Sequence, residues 1–181
     1  MNRISLSIIF FVVTYSLHGQ ALFDKPHDVQ TRWASAENWN GKKGSAGMKN
    51  GGRKGSPSFR LKAGSDQILA EASGTSGMIR RIWLTIENRT PEILRGVKIE
   101  MYWDDSPKPA VSAPLGDFFN HGLGQMSVFE NALFSSPEGR SFNCCIPMPF
   151  RKSMKIIVRN TTEKDITMFF YDVDYTLGDR V

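Results

Sequence analysis

Acidic, aromatic and imidazole side chains lie close together between residues 114 and 122 of this 181-residue chain: Asp117, Phe118, Phe119 and His121. A proline and a glycine precede them, so we expect a strand to break into a loop here. A carboxylate accepts hydrogen bonds from sugar hydroxyls, and an exposed ring covers the apolar face of a sugar. These residue types therefore predict a substrate-binding site for carbohydrate.

A structural interpretation of the same stretch stays open. An aspartate at a strand-to-loop corner commonly accepts backbone N–H bonds, and phenyl rings are common in protein cores. Residue types alone do not separate a sugar-binding Asp117 from a structural one.

The composition is that of an ordinary globular protein, with 23% charged and 40% hydrophobic residues. The formal charge of +5 is unevenly placed, because residues 38–65 contain seven basic residues and no acidic residue. The remainder is close to neutral. A basic excess confined to one segment argues against a nucleic-acid-binding face.

Residues 1–21 resemble a secretory signal peptide. Arg3 supplies a positive start, residues 4–15 form an apolar core of about a dozen residues, and small residues follow at Gly19 and Ala21. This core is too short to span a bilayer. We expect an exported protein, periplasmic or extracellular, with no membrane attachment after signal removal.

Cysteine and histidine give little support for a metal site. Cys144 and Cys145 are adjacent, so in a strand they point to opposite faces, and one should pack as a small hydrophobic residue. The three histidines do not cluster in sequence. No metal ion and no cofactor is expected.

Residues 41–55 contain six glycines among lysines and arginines. Such a run does not hold regular structure easily. The spacing is not that of a phosphate-binding loop. The segment is either a solvated loop or a loop that covers a site and shapes it with backbone N–H groups.

Alternating short apolar runs indicate an all-β fold, an antiparallel sandwich of jelly-roll type. Residues 28–39 are predicted as a short helix capped by Asp28. We assign residues 22–57 to an N-terminal segment and 58–181 to the jelly-roll domain. The predicted strands cover residues 67–72, 78–86, 96–103, 128–134, 142–146, 154–159 and 166–175.

Asp104 and Asp105 end one of these strands before a proline. They are most simply turn-forming residues. Neighbouring carboxylates also suit Ca²⁺ or sugar hydroxyls, so a binding role stays open.

Five segments in order carry a resemblance to a known family: Arg-Ile-Trp-Leu-Thr (81–85), Glu-Met-Tyr-Trp-Asp (100–104), Ala-Pro-Leu-Gly-Asp-Phe-Phe (113–119), Pro-Met-Pro-Phe-Arg-Lys-Ser (147–153) and Asp-Tyr (174–175). From about residue 33 onward the chain resembles glycoside hydrolase family 172, whose studied members include α-fructofuranosidases and D-arabinofuranosidases.

The resemblance implies two stacked jelly rolls, of which this chain is the first, and assembly into a homo-trimer or larger homo-oligomer. It also implies retaining hydrolysis by two glutamates that follow the part of the family matched here. No catalytic role is therefore assigned to any residue of this chain. The substrate-side candidates are Asp117, Phe118, Phe119 and His121, with Glu37 and Asn38 where the family has a polar segment near its site.

One departure from the family concerns the substrate. Many members have an acidic, glycine-rich segment where this chain has its lysine-rich run, so an anionic or differently linked glycan is possible. The sequence favours the N-terminal half of an exported furanoside hydrolase, inactive alone. The alternative is a non-catalytic carbohydrate-binding or assembly module.

Overall fold

The computed structural model describes residues 27–53 and 55–181. The predicted signal peptide, residues 1–21, lies outside the described residues and stays a prediction. Within the described part, no helix has the length and apolar character needed to cross a membrane.

Short strands dominate the described residues, with only brief helical turns between them. The helices are α1 (Lys49–Gly52), α2 (Pro91–Gly96), α3 (Leu115–Phe118) and a 3₁₀ turn (Gly122–Gly124). The strands are β1 (Gln30–Ser35), β2 (Ser58–Leu61), β3 (Asp66–Ser73), β4 (Gly77–Ile86), β5 (Val97–Trp103), β6 (Val111–Pro114), β7 (Phe129–Glu130), β8 (Phe134–Ser136), β9 (Ser141–Cys144), β10 (Met148–Phe150), β11 (Ser153–Asn160) and β12 (Ile166–Leu177).

The strands form two antiparallel sheets. The larger sheet has the order β1-β12-β4-β9-β8-β7, with β10 also paired to β4 and β2 also paired to β12. The smaller sheet has the order β3-β11-β5-β6. The predicted all-β antiparallel sandwich is confirmed.

Period-two alternation places the core between the two sheets. In β12 the buried side chains include Phe169, Tyr171, Val173 and Tyr175, while the aspartates between them are only partly buried. On β4, the side chains of Ile82, Leu84 and Ile86 are buried in the same way. The smaller sheet contributes Ile99, Met101, Met154, Ile156 and Val158 to the same core.

Two local predictions are wrong. Residues 28–39 do not form a helix, because β1 pairs along β12 and buries Ala34 opposite Val173. Residues 128–134 do not form one strand. The Asn131 carboxamide oxygen accepts the backbone N–H groups of Leu133 and Phe134, at 2.9 and 2.8 Å, and this turn separates β7 from β8.

The adjacent cysteines behave as predicted. Cys144 is buried in the core and Cys145 is exposed, and both are free thiols. Burial raises the pKa of the Cys144 thiol to about 11. Cys144 therefore stays protonated at neutral pH and packs as a small apolar side chain.

The edge of the larger sheet beside β12 is made of two separate strands. Strand β1 lies along residues 172–177 and β2 lies along residues 166–170. The chain leaves the edge after Ser35 and returns at Ser58, so the glycine- and lysine-rich run is an excursion from one continuous edge. The Glu37 carboxylate accepts the Ser56 backbone N–H and closes its base. This excursion loop, described for residues 36–53 and 55–57, connects β1 to β2.

Gly77 offers a test of the packing between β4, β10 and β12. A methyl group there would lie 2.2 Å from the Thr176 carbonyl oxygen and 2.4 Å from the Phe150 ring. We expect Gly77→Ala to lower the free energy of unfolding by about 1–3 kcal/mol, because a close-packed interior does not expand easily. Urea unfolding followed by tryptophan fluorescence measures the change.

The matched control is Gly122→Ala, where a methyl group meets nothing within 4 Å. Its unfolding midpoint should stay within experimental error of the parent. If both variants had the same stability, the close contact at Gly77 would be contradicted.

Candidate functional site

Asp117 lies on α3, directly after β6, and is part of an ion pair. One carboxylate oxygen pairs with the Arg95 guanidinium at the end of α2. The other is buried without a hydrogen-bond partner. The side chain is 31% exposed. Asp117 is therefore held by a cation rather than by backbone N–H groups, and it remains accessible from solvent.

The two phenylalanines beside it are packed differently. Phe118 is half-buried, with its ring edge-on to Phe119 and Phe134. Phe119 is buried in the core against Phe142. Only Phe118 retains exposed ring surface.

His121 lies inside the sandwich, with no exposed surface. Its ring is edge-on to Phe129 and Phe142, with centroids 5.3 and 5.2 Å away. The Ser127 backbone N–H donates to Nδ1 at 3.1 Å, while Nε2 has no hydrogen-bond partner. Burial lowers the pKa of His121. The Ser141 backbone acts to raise this pKa, but the effect of burial is larger. The imidazole is therefore kept neutral. Its burial favours a packing role, and the predicted role in sugar binding stays a prediction.

Glu37 and Asn38 organise the start of the excursion loop. Beyond its bond to Ser56, Glu37 has one buried carboxylate oxygen without a partner. Asn38 is 5% exposed and bonds Lys42 twice: its carboxamide nitrogen donates to the Lys42 carbonyl, and its oxygen accepts the Lys42 N–H, each at 3.1 Å. Asn38 thus fixes the backbone of the loop instead of facing solvent.

The fold does not bring the six predicted residues together. Glu37 and Asn38 lie beside β1, at the side of the sandwich where β3 is the edge strand of the smaller sheet. Asp117 and its neighbours follow β6, the opposite edge of that sheet. Three strand spacings separate these edges, about 14 Å. The six predicted residues therefore form two separate groups, Glu37 with Asn38 and Asp117 with its three neighbours.

A groove of about 480 Å³ lies next to the Glu37–Asn38 group. It opens between β1 and β12 of one sheet and β3 of the other, and the excursion loop forms its rim. The Trp39 indole, 42% exposed, stands in its wall. The other residues that line it are Arg32, Asn40, Gly41, Lys42, Lys43, Glu71, Ala72, Ser73, Tyr175 and Leu177.

Sequence reasoning missed this groove because its residues come from three distant segments. Strand pairing between β1 and β12 is needed to place Arg32 beside Tyr175. The usable sequence signal was the tryptophan followed by Asn40 and Gly41, a pattern typical of an exposed turn.

Gly41 shapes the floor of the groove. Its φ of +58° favours glycine, and a methyl group there would lie 2.0 Å from the Tyr175 hydroxyl oxygen. Tyr175 is 2% exposed, and burial raises its pKa. The backbone of the loop therefore lies directly on a buried aromatic ring.

No group of three histidine, cysteine, aspartate or glutamate side chains in the described ranges converges in a way that would hold a metal ion. What the arrangement offers instead is an aromatic face, hydrogen-bond donors and positive charge at an open groove. Groups of these kinds can bind a polar ligand.

Burial of a neutral His121 predicts a specific pH dependence. Because the pKa is lower in the folded state, the unfolded chain binds more protons as the pH falls below about 6.5, and stability falls with it. We expect urea midpoints of the parent to decline between pH 7.5 and 5.5. His121→Asn keeps an acceptor for Ser127 and removes the titration, so its decline should be smaller. An equal decline in both proteins would contradict a depressed His121 pKa.

Because Gly41 lies against Tyr175, we expect Gly41→Ala to lower the free energy of unfolding by more than backbone strain alone would. Gly44 also has a positive φ, +73°, but a methyl group there meets nothing within 4 Å. We expect Gly44→Ala to cost about 1–2 kcal/mol and Gly41→Ala about 1–3 kcal/mol more. Thermal and urea unfolding measure both. Equal losses would mean that the loop does not lie on Tyr175.

Comparison with known proteins identifies the family. The model of the GH172 first beta-sandwich domain matches residues 26–177, which is most of the chain. None of the curated proteins compared with it matches significantly. The match begins before β1 and ends at the last residue of β12, so it covers both sheets described above. The chain therefore belongs to glycoside hydrolase family 172 and carries its first β-sandwich domain.

Proposed function

We propose that this chain is the first sandwich of an exported furanoside hydrolase, a fructofuranosidase- or arabinofuranosidase-like enzyme. The family match over residues 26–177 is the observation that carries the proposal. In this proposal the sandwich supplies substrate-side residues, and the nucleophile and acid/base lie on the second sandwich of the family. Export rests on the signal-like residues 1–21.

The electrostatics of the carboxyl groups support a substrate-side role. A general acid in a glycosidase needs a raised pKa. At Glu100, burial acts to raise the pKa, but hydrogen bonds from Tyr102 and Arg159 outweigh it and the net shift is downward. Hydrogen bonds from Thr167, Lys152 and Ala63 likewise lower the pKa values of Glu87, Asp104 and Asp165, respectively. The pKa shifts of these four carboxyl groups are thus opposite to that of a general acid.

Asp104 illustrates the structural use of these acids. One carboxylate oxygen accepts the backbone N–H groups of Arg151 and Lys152, each at 2.7 Å. Asp105 accepts the Ser153 hydroxyl at 2.7 Å. These contacts tie the turn after β5 to the turn before β11 and support the turn-forming interpretation.

The groove and Asp117 are the two sugar-side candidates. Trp39 offers an indole face, and the loop backbone is fixed by Asn38, so little ordering is needed on binding. Asp117 keeps a partly exposed side chain next to the half-exposed Phe118 ring, and its buried carboxylate oxygen has no hydrogen-bond partner. For catalysis, either group would require the second sandwich or another subunit to complete the active site.

Assembly into a homo-trimer or larger homo-oligomer is also part of the proposal. Leu123, Val128 and Leu133 are 89%, 70% and 48% exposed within one short stretch. Apolar side chains grouped in this way are typical of a surface that another protein covers.

The test is hydrolysis of aryl furanosides by a protein that contains both sandwiches. We expect turnover of nitrophenyl arabinofuranoside or fructofuranoside, none of the matching pyranosides, and none by the 181-residue chain alone. A two-sandwich protein without furanoside turnover would overturn the proposal in favour of a non-catalytic carbohydrate-binding or assembly module.

Within that enzyme, Asp117→Asn tests the sugar role of this carboxylate. Loss of a charge-assisted hydrogen bond to a sugar hydroxyl should lower kcat/KM roughly 10- to 100-fold. Stability should change little, because partly exposed ion pairs contribute about 0–1 kcal/mol. Asp165→Asn is the control, since it also removes a partly exposed pair, with Arg60. If Asp117→Asn and Asp165→Asn had equal activity, Asp117 would be structural.

A further inference from the structure

The groove beside the excursion loop carries an excess of positive charge. Three basic side chains line it, from Arg32, Lys42 and Lys43, against one acidic side chain, Glu71. All three basic residues come from β1 or from the loop, whereas Glu71 comes from the smaller sheet. The charged side chains that line the groove from β1 and the loop are therefore all positive.

These three charges are not neutralised by the protein. The Arg32 guanidinium donates to the Thr31 carbonyl at 2.9 Å and to the Gln30 side-chain oxygen at 2.6 Å, both neutral acceptors. No ion pair in the described ranges involves Arg32, Lys42 or Lys43.

Arginines elsewhere on this domain are treated differently. Guanidinium groups outside the groove are commonly held by carboxylates within 4 Å; the pairs include Arg60–Asp165, Arg80–Asp179, Arg81–Asp174, Arg95–Asp117 and Arg159–Asp66. Arg32 differs from these arginines in having no carboxylate partner, and the groove places it on the same surface as Lys42 and Lys43. Such groups are available to an anion from outside.

The backbone that presents these cations is held in place by contacts within the domain. The Asn38 carboxamide binds both the N–H and the carbonyl of Lys42, and Gly41 lies on Tyr175. The exposed Trp39 indole stands in the same wall. An aromatic face beside free cations suits a ligand that is apolar on one ring face and negatively charged at its edge.

We infer that this groove binds an anionic sugar, a glycan unit carrying a carboxylate or sulfate group. The inference rests on the proposed function, to which it adds a charged sugar unit in the glycan beside the furanoside that is cleaved. The indole covers the C–H face of the ring, and Lys42, Lys43 and Arg32 bind the anion. Because these cations are exposed, the interaction weakens as salt screens it over the Debye length, about 10 Å at 0.1 M.

The experiment is calorimetric titration of the 181-residue protein with digalacturonate, with galactobiose as the neutral counterpart and sodium sulfate as the free anion. We expect digalacturonate to bind at least about tenfold tighter than galactobiose at 50 mM salt, and several-fold weaker at 300 mM salt. A sulfated galactobiose arm separates a carboxylate site from a site for either anion.

The variants assign the binding to the groove. Lys42→Gln with Lys43→Gln should abolish the preference for the charged sugar. Lys108→Gln with Lys152→Gln removes the same charge from exposed positions outside the groove and should leave it intact. Circular dichroism melts of both double variants establish that they are folded.

Each outcome decides the inference. Equal affinity for the charged and neutral sugars, absence of binding, sulfate binding as tight as digalacturonate, or equal effects of the two double variants would each overturn it. The furanoside assay tests the proposed function independently of the groove. If a two-sandwich enzyme cleaves neutral furanosides but the groove shows no preference for the charged sugar, only the inference about the groove is overturned. Preference for the anion without furanoside turnover removes the proposed function only.

Discussion

The pairing of β12 with its neighbours on both sides is the constraint on which this domain depends. On one side it runs along β4, and on the other it holds β1 and β2 end to end. Its inward side chains include Phe169, which stacks on Phe59 from β2 at 5.0 Å. Because one strand supports both edge segments, residues between them can leave the sheet without breaking the core.

The excursion loop uses this freedom. A run with six glycines cannot build a core of its own, so its position depends on contacts at its base. The Glu37–Ser56 bond closes that base, and Gly41 meets the Tyr175 ring at the end of β12. Strand β12, which organises the sandwich, therefore also positions the groove. Its contact with Gly41 fixes the backbone next to Lys42 and Lys43.

The stretch after β6, residues 115–122, has a different physical character, set by the docking of α2 onto α3. Its polar groups are drawn into structural contacts: Asp117 pairs with Arg95, and His121 accepts an amide bond between two phenyl rings. Family membership connects the domain to glycoside hydrolysis. The exposed Trp39 indole and the cations without an ion pair among the described residues lie elsewhere, beside β3 at the opposite edge of the smaller sheet.

Alternation of apolar residues was enough to predict the two-layer β fold and the faces of β4 and β12, since a one-residue slip would expose the whole core. It also predicted that one of the two cysteines is buried. It did not predict β1, because a short segment that mixes Trp33, Ala34 and polar residues takes its structure from β12, its partner. Nor did it predict that Phe119 is buried and Phe118 only half-buried, since the burial of each ring depends on which side chains the fold packs against it.

The amino-acid sequence by itself determined the fold class, the family and the uneven placement of positive charge, because these depend on residue type and local order. Only the tertiary structure decided that Asp117 and Asn38 lie at opposite edges, and that Arg32, Trp39 and Tyr175 share one groove. The reason is that strand pairing joins residues more than 140 positions apart, such as Arg32 and Tyr175, and no local pattern records that choice of partner.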